Sequence, residues 1–396
     1  MTGERRTGLY RILAAQVRAE QRPVGNVDTG GACAQLACDS GRVTAYRPRP
    51  GPAARDVFAG WSTAALDEIA PVDVPGVAAD PPRGRVEMVD GRGIFVRCTA
   101  DESEMDRADS DLSPDAWYVH GLAGSSTNWT SLAGAMAARA TGYLVDLPGH
   151  GRSDPPPRGR YSIRDNADLV ASLIHRRSGR PVHLVGNSLG GIVATRVAAR
   201  HRDLVASLTL ISPAVPDLRL TRDRGADPIL GLLLLPGTAG LAERHLGAMS
   251  PMARARGMGQ LCYGNPQLLS EADYEVAAAD LAWRSDLPWA HSATVGSLRA
   301  LMRSYLHPRS SFRDDAAKIS APTLIIWGTR DALVDVRLAR MAASWFARSS
   351  LLIAPGVGHT AQMEDPVMTA RAVARLWAPP GAPHAGPTAA VATSVV

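Results

Sequence analysis

Three side chains and two backbone amides in this sequence have the types and spacing for acyl transfer. Ser188 lies in Gly186-Asn187-Ser188-Leu189-Gly190-Gly191, directly after the apolar run 182–185 and at the head of the helical stretch 189–200. A serine on a sharp strand-to-helix turn needs glycines beside it, because the strained backbone leaves no room for side chains there. The turn lifts Oγ above the sheet edge, and the helix N-terminus offers free N–H groups and partial positive charge. Asp331 follows a strand ending at Trp327, in Gly328-Thr329-Arg330-Asp331. His359 follows the next strand, in Gly356-Val357-Gly358-His359. Ser188 would attack a carbonyl carbon, His359 would accept its proton, and Asp331 would fix the imidazole tautomer and stabilise the imidazolium. His120-Gly121-Leu122 comes after the strand 116–119. From there the Leu122 N–H, together with that of Leu189, could bind the oxyanion of a tetrahedral intermediate. His120 reads as structural, His150 as part of a turn, and Asp335 as a reserve carboxylate.

The elements around these residues alternate strand and helix. A hairpin is expected over 86–97, with a Gly-rich turn at 90–93. Strands at 116–119, 142–145, 182–185 and 205–211 are separated by helical stretches at 163–175 and 189–200. The pattern resumes with strands at 323–327 and 351–353 and helices near 336–346 and 365–377. Such alternation predicts an α/β fold with a mostly parallel, doubly wound sheet. It places Ser188, Asp331 and His359 at strand C-termini on one sheet edge. Residues 215–320 interrupt the alternation and are expected to form an inserted helical cap, or lid, on a core of 81–214 and 321–378. Residues 1–80 read as an N-terminal extension, flexible but for a short helix near 61–69, with translation expected to start near Val57. Residues 379–396 read as a disordered tail.

With these residues in place the chain resembles the α/β-hydrolase superfamily, from about Arg85 to Trp377. The order Ser, Asp, His is the one that fold uses. Asp146-Leu147-Pro148-Gly149-His150-Gly151-Arg152-Ser153 is similar to the family's loop after the second core strand. His359-Thr360-Ala361-Gln362-Met363-Glu364 is similar to its histidine loop. The resemblance implies a serine hydrolase acting on a carboxylic ester, with an apolar acyl or alcohol part and an acyl-enzyme intermediate. A serine at the elbow disfavours the branches of the family that use an aspartate nucleophile. The elbow is also similar to that of meta-cleavage-product hydrolases, which split carbon–carbon bonds. Those have a Gly-Pro-Gly-type oxyanion loop, where this chain has Gly121-Leu122-Ala123-Gly124. A reading of a different class is a non-catalytic receptor or scaffold that keeps the fold without turnover.

The composition fits a soluble globular chain, with 396 residues, 45% hydrophobic and 20% charged. The net charge of +5 is concentrated in residues 1–60, which hold nine arginines against five acids. No basic stripe alternates with aromatics, so nucleic acid is not an expected partner. Lys318 is the only lysine. Cys33, Cys38, Cys98 and Cys262 make no metal pattern and read as reduced thiols. The apolar stretch 9–17 lacks a signal-peptide cleavage site, and the apolar run 229–235 is too short to span a bilayer. The expectation is a cytoplasmic enzyme with a small-molecule substrate, no stable membrane insertion, and neither metal nor organic cofactor. The oligomeric state is not legible.

Overall fold

The computed structural model describes residues 58–61, 81–100, 114–216, 238, 240, 244, 247–306 and 311–378. Strands run as β1 Phe58–Trp61, β2 Gly84–Val89, β3 Arg92–Cys98, β4 Asp115–Val119, β5 Thr141–Val145, β6 Val182–Asn187, β7 Val205–Ile211, β8 Thr323–Gly328 and β9 Ser349–Ala354. They form one sheet in the order β1-β9-β8-β7-β6-β4-β5-β3-β2. All neighbouring pairs are parallel except β2 with β3 and β3 with β5. The hairpin β2–β3 turns through Asp90 and Gly91 at φ 49° and 75°, a left-handed pair whose twist matches that of the flanking strands.

The central strands β6 and β8 are buried along their whole length, which explains why they read as continuous apolar runs rather than as alternation. Helices cover both faces. One face carries α2 (Ile163–Arg177), α3 (Leu189–Arg200), α7 (Phe312–Ala316) and α8 (Leu338–Ala343). These helices share a core with Trp117, Leu184, Leu208 and Ile325. The other face carries α1 (Thr130–Met136), α9 (Ala361–Glu364) and α10 (Pro366–Trp377), packed on Tyr118, Val185, Ile326 and Leu352. Asp365 caps α10 by accepting the Met368 N–H at 3.0 Å, and Pro366 opens the first turn, where its missing N–H is harmless.

Between β7 and β8 the described chain forms α4 (Pro251–Cys262), α5 (Glu271–Ser285) and α6 (Ala290–Leu306). A capping box starts α5. The Asp273 N–H donates to Ser270 Oγ at 3.2 Å, and the Ser270 N–H donates to Asp273 Oδ2 at 2.8 Å. Helices α4 and α5 pack through Ala255, Ala278 and Leu281, a small cluster separate from the two cores of the sheet.

Several expectations meet a different outcome. Residues 58–61 fall inside the segment read as an extension, yet they pair in parallel with β9 from Phe58↔Ser349 to Trp61↔Leu352. Trp61, expected to start a short helix, closes this strand. An unpaired β9 edge can recruit a segment of four residues with no alternating pattern, because the bonds come from backbone. The helix expected near 336–346 is the shorter Leu338–Ala343. Residues 62–80, Cys33 and Cys38, the apolar run 229–235 and the tail 379–396 lie outside the described residues.

Candidate active site

Strand order reverses at β4, which lies between β5 and β6, so the crevice between the C-terminal ends of β4 and β6 is a topological switch point. The β6 end carries Ser188, which has φ 55° and ψ −118°, a left-handed backbone that a residue with a Cβ rarely adopts. Strain of this kind is on the order of 1–3 kcal/mol and persists only where the surroundings enforce it. Here the Ser188 N–H donates to Ile211 O at 3.1 Å, and its carbonyl accepts from Gly191, Ile192 and Ala214 N–H at 3.0, 3.3 and 3.1 Å. A Cβ at Gly186 would fall 2.5 Å from Gly190 O, and one at Gly190 would overlap the Val119 and His120 carbonyl oxygens. Both glycines are therefore required by the close approach of β4, β6 and α3. Leu189 is the first residue of α3, so its N–H has no carbonyl partner within the helix.

The loop after β4 lies directly against this turn. A Cβ on Gly121 would be 3.1 Å from Asn187 Oδ1 and 3.2 Å from Ser188 Cβ, which brings Gly121, the residue before Leu122, beside the serine. The loop closes by a Gly124 N–H to Gly121 O bond of 3.1 Å, with Ala123 at φ 58°. His120 is fully buried. Its Nε2 accepts the Leu147 N–H at 3.0 Å, and its Nδ1 lies 2.7 Å from Gly121 O, which fixes Nδ1 as the protonated nitrogen. Burial lowers its pKa to about 4 and that of the neighbouring His150 to about 3, so both rings are neutral struts near pH 7. This agrees with their structural reading. Asp146 ties the loops together, accepting the Ser126 N–H at 2.6 Å on Oδ1 and the Arg152 N–H at 2.9 Å on Oδ2.

Asp331 and His359 meet side to side. Both carboxylate oxygens lie near His359 Nδ1, at 3.0 and 2.9 Å, and neither side chain has appreciable exposure. Asp331 Oδ1 also accepts the Leu333 and Val334 N–H groups, each at 2.9 Å, so the carboxylate is held before it meets the ring. With Nδ1–H directed at Asp331, the lone pair resides on Nε2, as a general base requires. Asp335, the reserve carboxylate, bonds Arg337 instead, through the backbone N–H at 2.8 Å and the guanidinium at 2.5 and 2.8 Å.

Two residues that the sequence reading did not single out for a role hold these parts together. Asn187 donates from Nδ2 to Ile211 O and to His359 O, both at 3.0 Å, which links the elbow to the histidine loop. Glu364 accepts the Gly358 N–H at 2.7 Å and the Gly264 and Asn265 N–H groups at 2.9 Å each, joining that loop to the segment after α4. The only available signals were position: Asn187 immediately before the serine, and Glu364 at the end of the histidine-loop motif. Cys262 offers its carbonyl to the His359 N–H at 2.7 Å. Its thiol is pushed up to about 12 by burial and by the Asp331 charge, so it stays protonated and is a poor nucleophile. Among the described residues no three His, Cys, Asp or Glu side chains converge as a metal-ligand set.

A doubly wound sheet with a strained serine turn and a buried Asp–His pair at one edge defines a hydrolase-type α/β architecture. The chain belongs to the alpha/beta hydrolase family, whose sequence profile matches residues 118–372. Among curated proteins it is similar to an uncharacterized protein of Mycobacterium tuberculosis, 31% identical over 265 residues that cover 64% of this chain and 72% of the relative. It is also similar to the monoacylglycerol lipase ABHD6 of Homo sapiens, 28% identical over 264 residues, 66% of this chain and 74% of that protein. Among solved structures, the 2-hydroxy-6-oxo-6-phenylhexa-2,4-dienoate hydrolase of Rhodococcus sp. strain RHA1 aligns with a TM-score of 0.58 over 77% of this chain and 99% of that one. At 16% identity this last likeness speaks to the fold alone. No helix among the described residues is long and apolar enough to cross a membrane.

Proposed function

We propose that this protein is a serine hydrolase that cleaves a carboxylic ester through an acyl-enzyme. The observation that carries the reading is the strained Ser188 turn beside a buried Asp331–His359 pair, with Asn187 bonding the backbone of the histidine. Ser188 Oγ attacks the acyl carbon while His359 Nε2 takes its proton. The charge that develops on the carbonyl oxygen is met by the N–H groups of Leu122 and Leu189, the latter at the positive end of α3. Asp331 stabilises the imidazolium, which then protonates the leaving alcohol. Water activated by the same imidazole releases the acid and restores the serine. None of these steps calls for a metal or an organic cofactor.

The inserted helices α4–α6 act as a cap over this edge, and the substrate is a small molecule with an apolar acyl or alcohol part. A lipase among the relatives and the apolar run 229–235 within the insertion support that choice. A cytoplasmic setting belongs to the same reading, supported by Cys98 and Cys262 as free thiols, the usual state in a reducing compartment. The test is Ser188→Ala, read by p-nitrophenyl ester turnover and by fluorophosphonate labelling. Both should vanish in a variant with unchanged far-UV circular dichroism. Labelling that persists on another serine refutes the assignment. Rapid cleavage of a dienol diketone with poor ester turnover redirects it to carbon–carbon hydrolysis.

A further inference from the structure

The last turn of α5 reaches down to the loop that follows β4. Arg284 Nη1 donates to Ala123 O at 3.1 Å and lies 3.4 Å from Gly124 O. Its Nη2 pairs with Asp280 Oδ2 at 2.7 Å, one turn earlier on the same helix, so the guanidinium is aimed before it meets the loop. Only 17% of the side chain is exposed, where a charge-assisted bond to a carbonyl is stronger than in open solvent. Next to it, Trp283 packs under the Arg152 guanidinium at 4.7 Å from the ring centroid. The Arg152 N–H donates to Asp146, and Asp146 accepts the Ser126 N–H just beyond the same loop. The contacts thus close a ring from the loop through Asp146 and Arg152 to Trp283 and Arg284, and back to the loop.

This ring encloses a strained backbone. Ala123 sits at φ 58°, a conformation costing a residue with a Cβ about 1–2 kcal/mol. Relaxing it to negative φ would rotate the adjoining peptide planes, break the Gly124 N–H to Gly121 O bond and turn Leu122. The carbonyls that Arg284 holds are the two directly after Leu122. We propose that Arg284 is a positioning residue that holds the 121–124 loop in the shape presenting the Leu122 N–H to the oxyanion. In this way the insertion acts on the transition state as well as on substrate access. The proposal rests on the serine-hydrolase reading given above and adds a specific role for a residue outside the sheet core.

The experiment uses the full chain with Arg284→Met, Arg284→Gln and Arg284→Lys. Turnover of p-nitrophenyl butyrate is measured together with inhibition by an alkyl trifluoromethyl ketone, which adds to the serine and places an oxyanion where the intermediate would have one. Removing an oxyanion donor outright lowers kcat by about a hundred- to a thousandfold. A donor left in place but released should lower it by about ten- to a hundredfold. Arg284→Met should show that loss in kcat with KM nearly unchanged, and the ketone's inhibition constant should rise by a similar factor. Arg284→Gln, too short to bridge both carbonyls, should show the same split if the methionine variant does not fold. Arg284→Lys should recover part of the loss. An unchanged kcat, or a raised KM at constant kcat, overturns the proposal. Ser188→Ala measured alongside separates this from its premise, since turnover surviving in that variant removes the serine assignment itself.

Discussion

Three imidazoles, those of His120, His150 and His183, are enclosed in the protein at 0%, 5% and 8% exposure. Burial, the largest cause in each case, lowers their pKa to about 4, about 3 and about 4. In the unfolded chain each titrates near about 6.5. Below that value the unfolded state binds a proton per ring that the folded state refuses. The stability these rings contribute is therefore complete above about pH 6.5 and is lost as the pH falls toward their folded values. The slope is about 1.4 kcal/mol per pH unit per ring, so moving from about pH 7.5 to about pH 5.5 removes about 4 kcal/mol for the three. That is a large part of the roughly 5–15 kcal/mol that holds a typical domain together. Urea unfolding followed by tryptophan fluorescence at several pH values in this window measures it directly. His183→Phe keeps a ring on Trp377, against which His183 stacks at 4.2 Å, and should reduce the slope by about a third. A midpoint that stays flat across the window would refute the reasoning, since it would mean the rings take up protons within the fold. Within the fold His120 stays neutral across this window, so its Nε2 keeps the Leu147 N–H and gives it up only as the pH nears about 4.

Two further outcomes follow from named contacts. Asp331→Asn should lower kcat by up to about ten-thousandfold, because an amide in that place permits the wrong imidazole tautomer. Near-wild-type turnover would point to another orienting group. Deleting residues 1–56 retains β1, whereas deleting 1–61 uncovers the β9 edge. The longer deletion should therefore lower stability by about 1–3 kcal/mol relative to the shorter, at roughly 0.5–1.5 kcal/mol for each backbone bond lost. Equal melting temperatures would show that the edge pairing adds nothing.

The sequence by itself determined the elements and the positions of the candidate residues on them, because those signals are local. Buried strands are apolar runs, a strained serine turn needs glycine on both sides, and an Asp-Gly pair makes a tight hairpin. Ser188, Asp331 and His359 were legible as candidates because each follows a strand whose C-terminal end a parallel sheet brings to one edge. Membership of the alpha/beta hydrolase family was legible for the same reason. Tertiary structure decided what joins these parts. The bonds from Asn187 to His359, Glu364 to Gly264 and Arg284 to Ala123 span 172, 100 and 161 residues. No periodicity or motif encodes a partner at that distance, since each bond exists only once the sheet has set its loops side by side. Strand β1 is the same case. Phe58–Trp61 carries no strand pattern of its own, and only the open edge of β9, some 290 residues further along the chain, makes it one.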